Sequence, residues 1–167
     1  MQRLILLRHG KAESVAANGG DFERGLTERG RRDAALMGRV LAEAGFIPDL
    51  AIVSPARRAK ETWEEAAPAF PGVRCAHSRL LYLASAEQLA ETAAQAAEPV
   101  NCLIIVGHNP GLHEFALALA EQSGRGAAES LISTFPTAAA AVFAIDAAGR
   151  ARFEQLLLPR DFGGGAG

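Results

Sequence analysis

The sequence predicts an α/β fold: a three-layer sandwich with a mostly parallel central sheet, an antiparallel edge and helices on both faces. Three observations predict it. Short runs rich in Ile, Leu and Val alternate with longer stretches of helical periodicity along most of the chain. The run Cys102–Val106 has no polar position, as a strand covered on both faces requires. The last two apolar runs, Ala139–Ile145 and Arg152–Leu158, flank Asp146-Ala147-Ala148-Gly149, a hairpin signal that adds antiparallel strands at one side.

The elements follow in order. Arg3–Leu7 reads as a buried strand that opens abruptly into Arg8-His9-Gly10. Residues 9–25, with Gly19-Gly20, carry little periodicity and read as a loop. Thr27 caps a helix running to about Ala44, with Leu36, Val40 and Leu41 on its inner face and Gly45 at its end. Asp49–Val53 is a second strand. Ser54-Pro55 reads as N-cap and first turn of a helix through Trp63 to about Ala67, stopped by Pro68 and Pro71. Val73–His77 is a third strand, and Ser85-Ala86-Glu87-Gln88 a capping box opening a helix to about Ala97. After Cys102–Val106, Pro110 starts a helix ending near Gln122, and residues 123–133 read as a Gly-rich loop. These boundaries give one domain over residues 1–160 and a flexible Gly-rich tail over 161–167.

Composition narrows the function. With 17 Lys and Arg against 19 Asp and Glu, the net charge of −2 leaves no basic footprint for nucleic acid or an anionic membrane. The N-terminal apolar run ends at Arg8, too soon for a signal-peptide core or a membrane span, so a cytoplasmic protein is expected. Cys75 and Cys102 have no motif spacing and read as buried thiols rather than a bridge or a metal pair. His113 follows His108 without a His-Glu-x-x-His pattern, so no metal site is expected, and no Gly-rich nucleotide loop is present. No cofactor is implied.

The polar residues fall at strand ends. Arg8 and His9 follow the first strand, Ser54 and Arg58 the second, and Gly107-His108-Asn109 the fourth. Ligands of open parallel sheets bind at the carboxyl ends of strands, so three loops deliver two Arg and two His to one crevice. That set suits a phosphoryl group, because Arg forks grip its oxygens and a neutral imidazole attacks phosphorus. Taken singly the residues are ordinary: a lone His after a strand is usually a satisfied loop histidine, and Arg57, Trp63 and His77 read as surface, core and strand residues.

Arg8-His9-Gly10 after an N-terminal strand resembles the signature of the histidine phosphatase superfamily, with its phosphoglycerate-mutase-like fold. The stretch from Ser54 to Thr62 resembles that family's second motif, in which the Arg directly before Ala binds phosphate; this points to Arg58 over Arg57. Gly107-His108-Asn109-Pro110-Gly111 resembles the motif holding the second histidine. The shortness of the chain, the Arg24–Gly30 stretch and the lack of a cap insertion are most similar to the SixA group of phosphohistidine phosphatases. The resemblance spans residues 1 to about 158.

The resemblance implies that His9 is a nucleophile forming a phosphohistidine intermediate. It implies that Arg8 and Arg58 clamp the phosphoryl oxygens, and that His108 is a second phosphate-binding histidine. For attack His9 must present a bare ring nitrogen, so its other nitrogen is expected to donate to a nearby backbone carbonyl. Asn109 joins the candidate substrate-binding set. Arg24 has two readings, a ligand of the phosphate or protein substrate, or an ion pair with Asp21 or Glu23. Gly124-Arg125-Gly126 likewise reads as a plain loop or as a rim of the entrance. One departure is informative: some relatives place an Asp after the second histidine, where Asn109 stands, and others a Glu near Leu81-Tyr82-Leu83, where none occurs. Alcohols leave poorly without an acid, whereas a phosphorylated imidazole, whose free nitrogen titrates near ~6.5, brings its own proton. Glu13 and Glu87 remain candidate stand-ins. The expected substrate is therefore a phosphohistidine-bearing protein, with a small phosphorylated molecule or a non-catalytic phospho-ligand binding role as alternatives.

Overall fold

The computed structural model describes residues 1–96, 99–124 and 126–166. Six strands form one sheet in the order β3-β2-β4-β1-β5-β6, where β1 is Arg3–Arg8, β2 Leu50–Val53, β3 Arg74–His77, β4 Cys102–Gly107, β5 Ala140–Ile145 and β6 Ala151–Leu157. The first four in that order are parallel; β5 pairs antiparallel with β1, and β6 with β5. The expected α/β sandwich with an antiparallel edge is therefore the observed fold.

Alternation along the strands builds two cores. Ile5, Leu7, Ala51, Val53, Ile104 and Val106 face α1 (Glu28–Glu43) and α2 (Arg57–Ala66), where Met37, Leu41, Ala59 and Trp63 pack. Leu4, Leu6, Ile52, Leu103 and Ile105 face α3 (Ala86–Gln95) and α4 (Gly111–Glu121), packing with Leu89, Leu112, Phe115 and Ala116. With apolar side chains on both faces, β4 is buried at every residue.

Local signals account for most boundaries. Thr27 Oγ1 accepts from the Gly30 N–H at 3.0 Å, and Gly45 takes a left-handed φ of 80° just past α1. Ser85 and Gln88 form both halves of the capping box. In the β5–β6 turn, the Asp146 carboxylate accepts from the Ala148 and Arg150 N–H groups, each at 2.9 Å.

Three expectations need correction. Helix α2 starts at Arg57, not at Pro55, and Ser54 caps nothing; its hydroxyl is used elsewhere. Residues 123–133 include a short helix, α5 (Glu129–Ile132), because Leu131 is apolar enough to be fully buried there. Cys102 is buried but Cys75 is exposed, since β3 is an edge strand, all four of whose residues are exposed. Near the C-terminus, Gly164 N–H donates to the Pro159 carbonyl and Gly165 N–H to Asp33 Oδ1, at 2.8 and 2.9 Å. Arg125, part of the candidate entrance loop, lies outside the described residues. Among the described residues no helix is long and apolar enough to cross a membrane.

Candidate functional site

The sheet register brings the three motifs together. Val53 pairs with Val106, and Val106 with Leu7, so the residues that follow each leave the sheet along one edge. There a cleft of about 350 Å³ is lined by Arg8, His9, Lys11, Asp21, Arg24, Arg58, Leu83, His108, Asn109 and Thr137, among others. Every residue singled out from the strand ends except Ser54 and Gly107 lines it. A volume of this size suits a phosphoryl group with part of its carrier.

His9 is held in one orientation. Its Nδ1 lies 2.7 Å from the Gly10 carbonyl, which only accepts, so Nδ1 carries the proton and Nε2 keeps its lone pair. That loop segment lies flat against α1 because residues 10 and 30 are glycines: a Cβ on Gly30 would sit 2.1 Å from the Lys11 carbonyl oxygen. Gly10 N–H in turn donates to Thr62 Oγ1 at 2.9 Å, and Thr62 donates to the Arg58 carbonyl at 2.6 Å. Thr62 was not singled out by sequence, although it stands one helical turn beyond Arg58 in α2.

Arg58, with a side chain 3% exposed, reaches between two parts of the cleft. Its Nε donates to His9 Nε2 at 3.3 Å; its two terminal nitrogens donate to the Asp21 carbonyl at 2.8 Å and Asp21 Oδ2 at 3.0 Å. Arg8 donates to the Phe135 carbonyl at 2.9 Å, and Asn109 Nδ2 donates to the same oxygen at 3.0 Å. Arg8 Nε and Asn109 Oδ1 are buried and have no partner among the described residues. Such groups usually find one, and here both belong to residues that line an anion-sized cleft.

His108 Nε2 sits 2.7 Å from Ser54 Oγ, and its buried Nδ1 has no partner among the described residues. The Ala56 N–H approaches the same Oγ at 3.4 Å, so Ser54 ties the His108 ring to the start of α2. Read as a helix cap, Ser54 instead bonds the ring of a site histidine. The two rings lie 5.2 Å apart.

Burial among cations keeps both rings neutral. His9 is pushed down to about 4, first by desolvation and then by Arg58, Arg8 and Arg24. His108 falls to about 3 through desolvation, His9 and Arg58.

The cleft also holds an anion that the sequence named only as a possible partner of Arg24. Asp21 Oδ1 accepts from Arg24 Nε and a terminal Arg24 nitrogen at 3.0 and 2.7 Å; Oδ2 accepts from Arg58 and from the Tyr82 hydroxyl at 2.7 Å. Those bonds, Tyr82's foremost, hold its carboxyl far below the usual carboxylate range. Tyr82 packs edge-on against the His108 ring at 5.7 Å. Arg24 thus both pairs with Asp21 and lines the cleft. Its loop is anchored by Glu61, which accepts from the Leu26 N–H at 2.6 Å and pairs with Arg57 and Arg31. Neither Glu13 nor Glu87 lines the cleft.

Comparison with known proteins agrees with this geometry. The profile of the histidine phosphatase superfamily (branch 1) matches residues 4–81. The Agrobacterium tumefaciens protein designated phosphohistidine phosphatase SixA superposes with a TM-score of 0.82 at 32% identity, over 95% of this chain and 98% of its own. A protein histidine phosphatase SixA solved with tungstate shares the fold at 24% identity, with a TM-score of 0.80 over 96% and 99% of the two chains. An uncharacterised Mycobacterium tuberculosis protein is 32% identical over 83% of this chain and 87% of its own. A cleft built from the ends of β1, β2 and β4, set in a fold matched along nearly its whole length, makes this chain a member of the histidine phosphatase superfamily, of the SixA type.

Proposed function

We propose that this chain removes phosphate from phosphohistidine on a protein, through a covalent intermediate at His9. The observation that carries the reading is the His9 ring, fixed by Gly10 with its bare Nε2 beside Arg58. In the first step the Nε2 lone pair forms the N–P bond while the bond from phosphorus to the leaving group breaks. His9 Nδ1–H, already on the Gly10 carbonyl, carries the positive charge that the ring acquires. Arg8, Arg58 and His108 surround the phosphoryl oxygens with donors, and Arg24 and Asn109 complete the binding set. In the second step water attacks phosphorus, its proton passes to the departing phosphate, and His9 leaves as the neutral imidazole it was.

The choice of substrate rests on proton supply. An alcohol must take a proton as it leaves. Among the described residues the acid lining the cleft is Asp21, and its four hydrogen bonds keep it ionised. Tyr82 is pushed up by its bond to Asp21, away from proton release. The leaving group must therefore bring its own proton, as the second nitrogen of a phosphorylated imidazole does.

The test is release of labelled phosphate from a phosphohistidine protein, with His9→Ala as control and a sugar phosphate for comparison. Fast release abolished by His9→Ala, with little sugar-phosphate turnover, is expected. Rapid sugar-phosphate turnover would make it a small-molecule phosphatase, and no release from either would make it a phospho-ligand binder.

A further inference from the structure

We propose that Asp21 determines leaving-group specificity: the incoming phosphoryl group takes Arg58 from it, and the freed carboxylate oxygen receives the N–H of the departing imidazole. The inference rests on the phosphohistidine reading above and assigns the group that recognises that substrate. Both lone pairs of each Asp21 oxygen are occupied, Oδ1 by Arg24 and Oδ2 by Arg58 and Tyr82. Arg58 is likewise committed, to His9 Nε2 and to Asp21. A phosphoryl group poised for attack must lie against His9 Nε2, where Arg58 Nε now donates, and it competes with Asp21 for the same guanidinium.

The competition is feasible because the two partners are unequally held. Arg58 is buried with 3% of its side chain exposed, whereas Asp21 is 46% exposed on a single 3-10 turn, Asp21–Glu23. Asp21 is the group that moves. Losing Arg58, Oδ2 keeps Tyr82 and regains one lone pair, one guanidinium's width from the nucleophile. That vacancy suits a leaving group presenting an N–H and repels one that departs as an alkoxide.

The reaction then has the same arrangement at both ends. The phosphoryl group moves between imidazoles, and each ring needs an acceptor for the N–H on its far nitrogen. Gly10 supplies it for His9. Asp21, as an anion, supplies it for the substrate ring, whose proton it stabilises before the P–N bond breaks. When that bond breaks its electron pair stays on the leaving nitrogen, and the ring departs neutral with its N–H intact.

The experiment compares wild type with Asp21→Asn and Asp21→Glu in the full chain, with far-ultraviolet circular dichroism checking the fold. It measures kcat and KM on a phosphohistidine peptide and on p-nitrophenyl phosphate, and inhibition by inorganic phosphate. Asp21→Asn is expected to bind phosphate about 5- to 10-fold tighter, because the competing charge is gone. It should lose at least about 10-fold in kcat on the peptide while p-nitrophenyl phosphate turnover holds or rises, and Asp21→Glu should restore the preference. Phosphate binding that weakens or stays level, or a parallel loss on both substrates, would make Asp21 a mere brace for the arginines and overturn the proposal. Wild type inactive on the peptide but active on p-nitrophenyl phosphate would instead bring down the phosphohistidine reading, and this inference with it.

Discussion

The protonation states of the site lead to an unusual pH profile. Lowering the pH from 8 to 5 normally silences a histidine nucleophile: an imidazole titrating at ~6.5 is only ~3% neutral at pH 5. His9, held down to about 4 by burial and its three arginine neighbours, stays ~90% neutral there. The substrate changes in the opposite sense. If its free ring nitrogen titrates near ~6.5, the protonated fraction climbs from ~3% at pH 8 to ~75% at pH 6, a rise of ~25-fold. Asp21, ionised well below this range, contributes no slope. Because kcat/KM reports the free enzyme and free substrate, it should rise about 25-fold from pH 8 to 6 on a phosphohistidine peptide. It should then level off and fall only as His9 charges near pH 4. The assay is initial-rate phosphate release at each pH, corrected for spontaneous hydrolysis, beside p-nitrophenyl phosphate, which has no ring to protonate. A peptide rate that falls between pH 8 and 6, or a limb near 6.5 shared by both substrates, would refute the reasoning.

Three other outcomes follow from the same contacts. Stability should fall on acidification. The unfolded imidazoles take up protons at ~6.5, while native His9 and His108 refuse them until about 4 and about 3, so stability present above pH 6.5 is lost as pH drops through that window. Each ring contributes about 2 kcal/mol of that loss by pH 5, visible as a shift in the urea midpoint. Ser54→Ala removes the 2.7 Å partner of His108 Nε2 and with it the anchor of that ring. It should lower kcat/KM by ~10- to 100-fold while costing only about 1 kcal/mol of stability. Gly30→Ala forces a Cβ to within 2.1 Å of the Lys11 carbonyl oxygen, which also receives the Thr27 N–H, and should destabilise by about 3 kcal/mol or more in thermal melts.

What was legible in the sequence is what is local. Arg8, His9, Arg58 and His108 stand where apolar strands end, and polar residues at such points have few structural uses, so their meeting could be read without coordinates. Ser54 was legible as a polar strand end but misassigned. Ser-Pro is a good helix start, and no local pattern says that α2 waits until Arg57 while the hydroxyl serves a ring 54 residues away. Asp21 is harder still. Its partners are Arg24 beside it, Arg58 at 37 residues and Tyr82 at 61, and only the first leaves a spacing signal. Cys75 was misjudged for a different reason. Apolar neighbours mark a strand, but exposure depends on whether that strand ends up at the sheet edge, which topology decides.

The cations of the cleft act on His9 in two senses, and the difference is what makes the site selective in time. Arg58, Arg8 and Arg24 oppose any positive charge on the free ring, so His9 stays neutral and available. In the proposed reaction, covalent phosphorylation of His9 puts positive charge on that same ring. The step is tolerable only because the group that brings the charge is itself an anion and takes the arginines as its partners. A proton arriving alone has no such compensation. On the proposed mechanism the ring accepts a phosphoryl group where it refuses a proton, and it stays competent under the mildly acidic conditions that would protonate a phosphohistidine substrate. Neutralising Arg58 would relax the restraint on the proton and remove the compensation for the phosphoryl group together, so nucleophile and clamp form a single electrostatic unit.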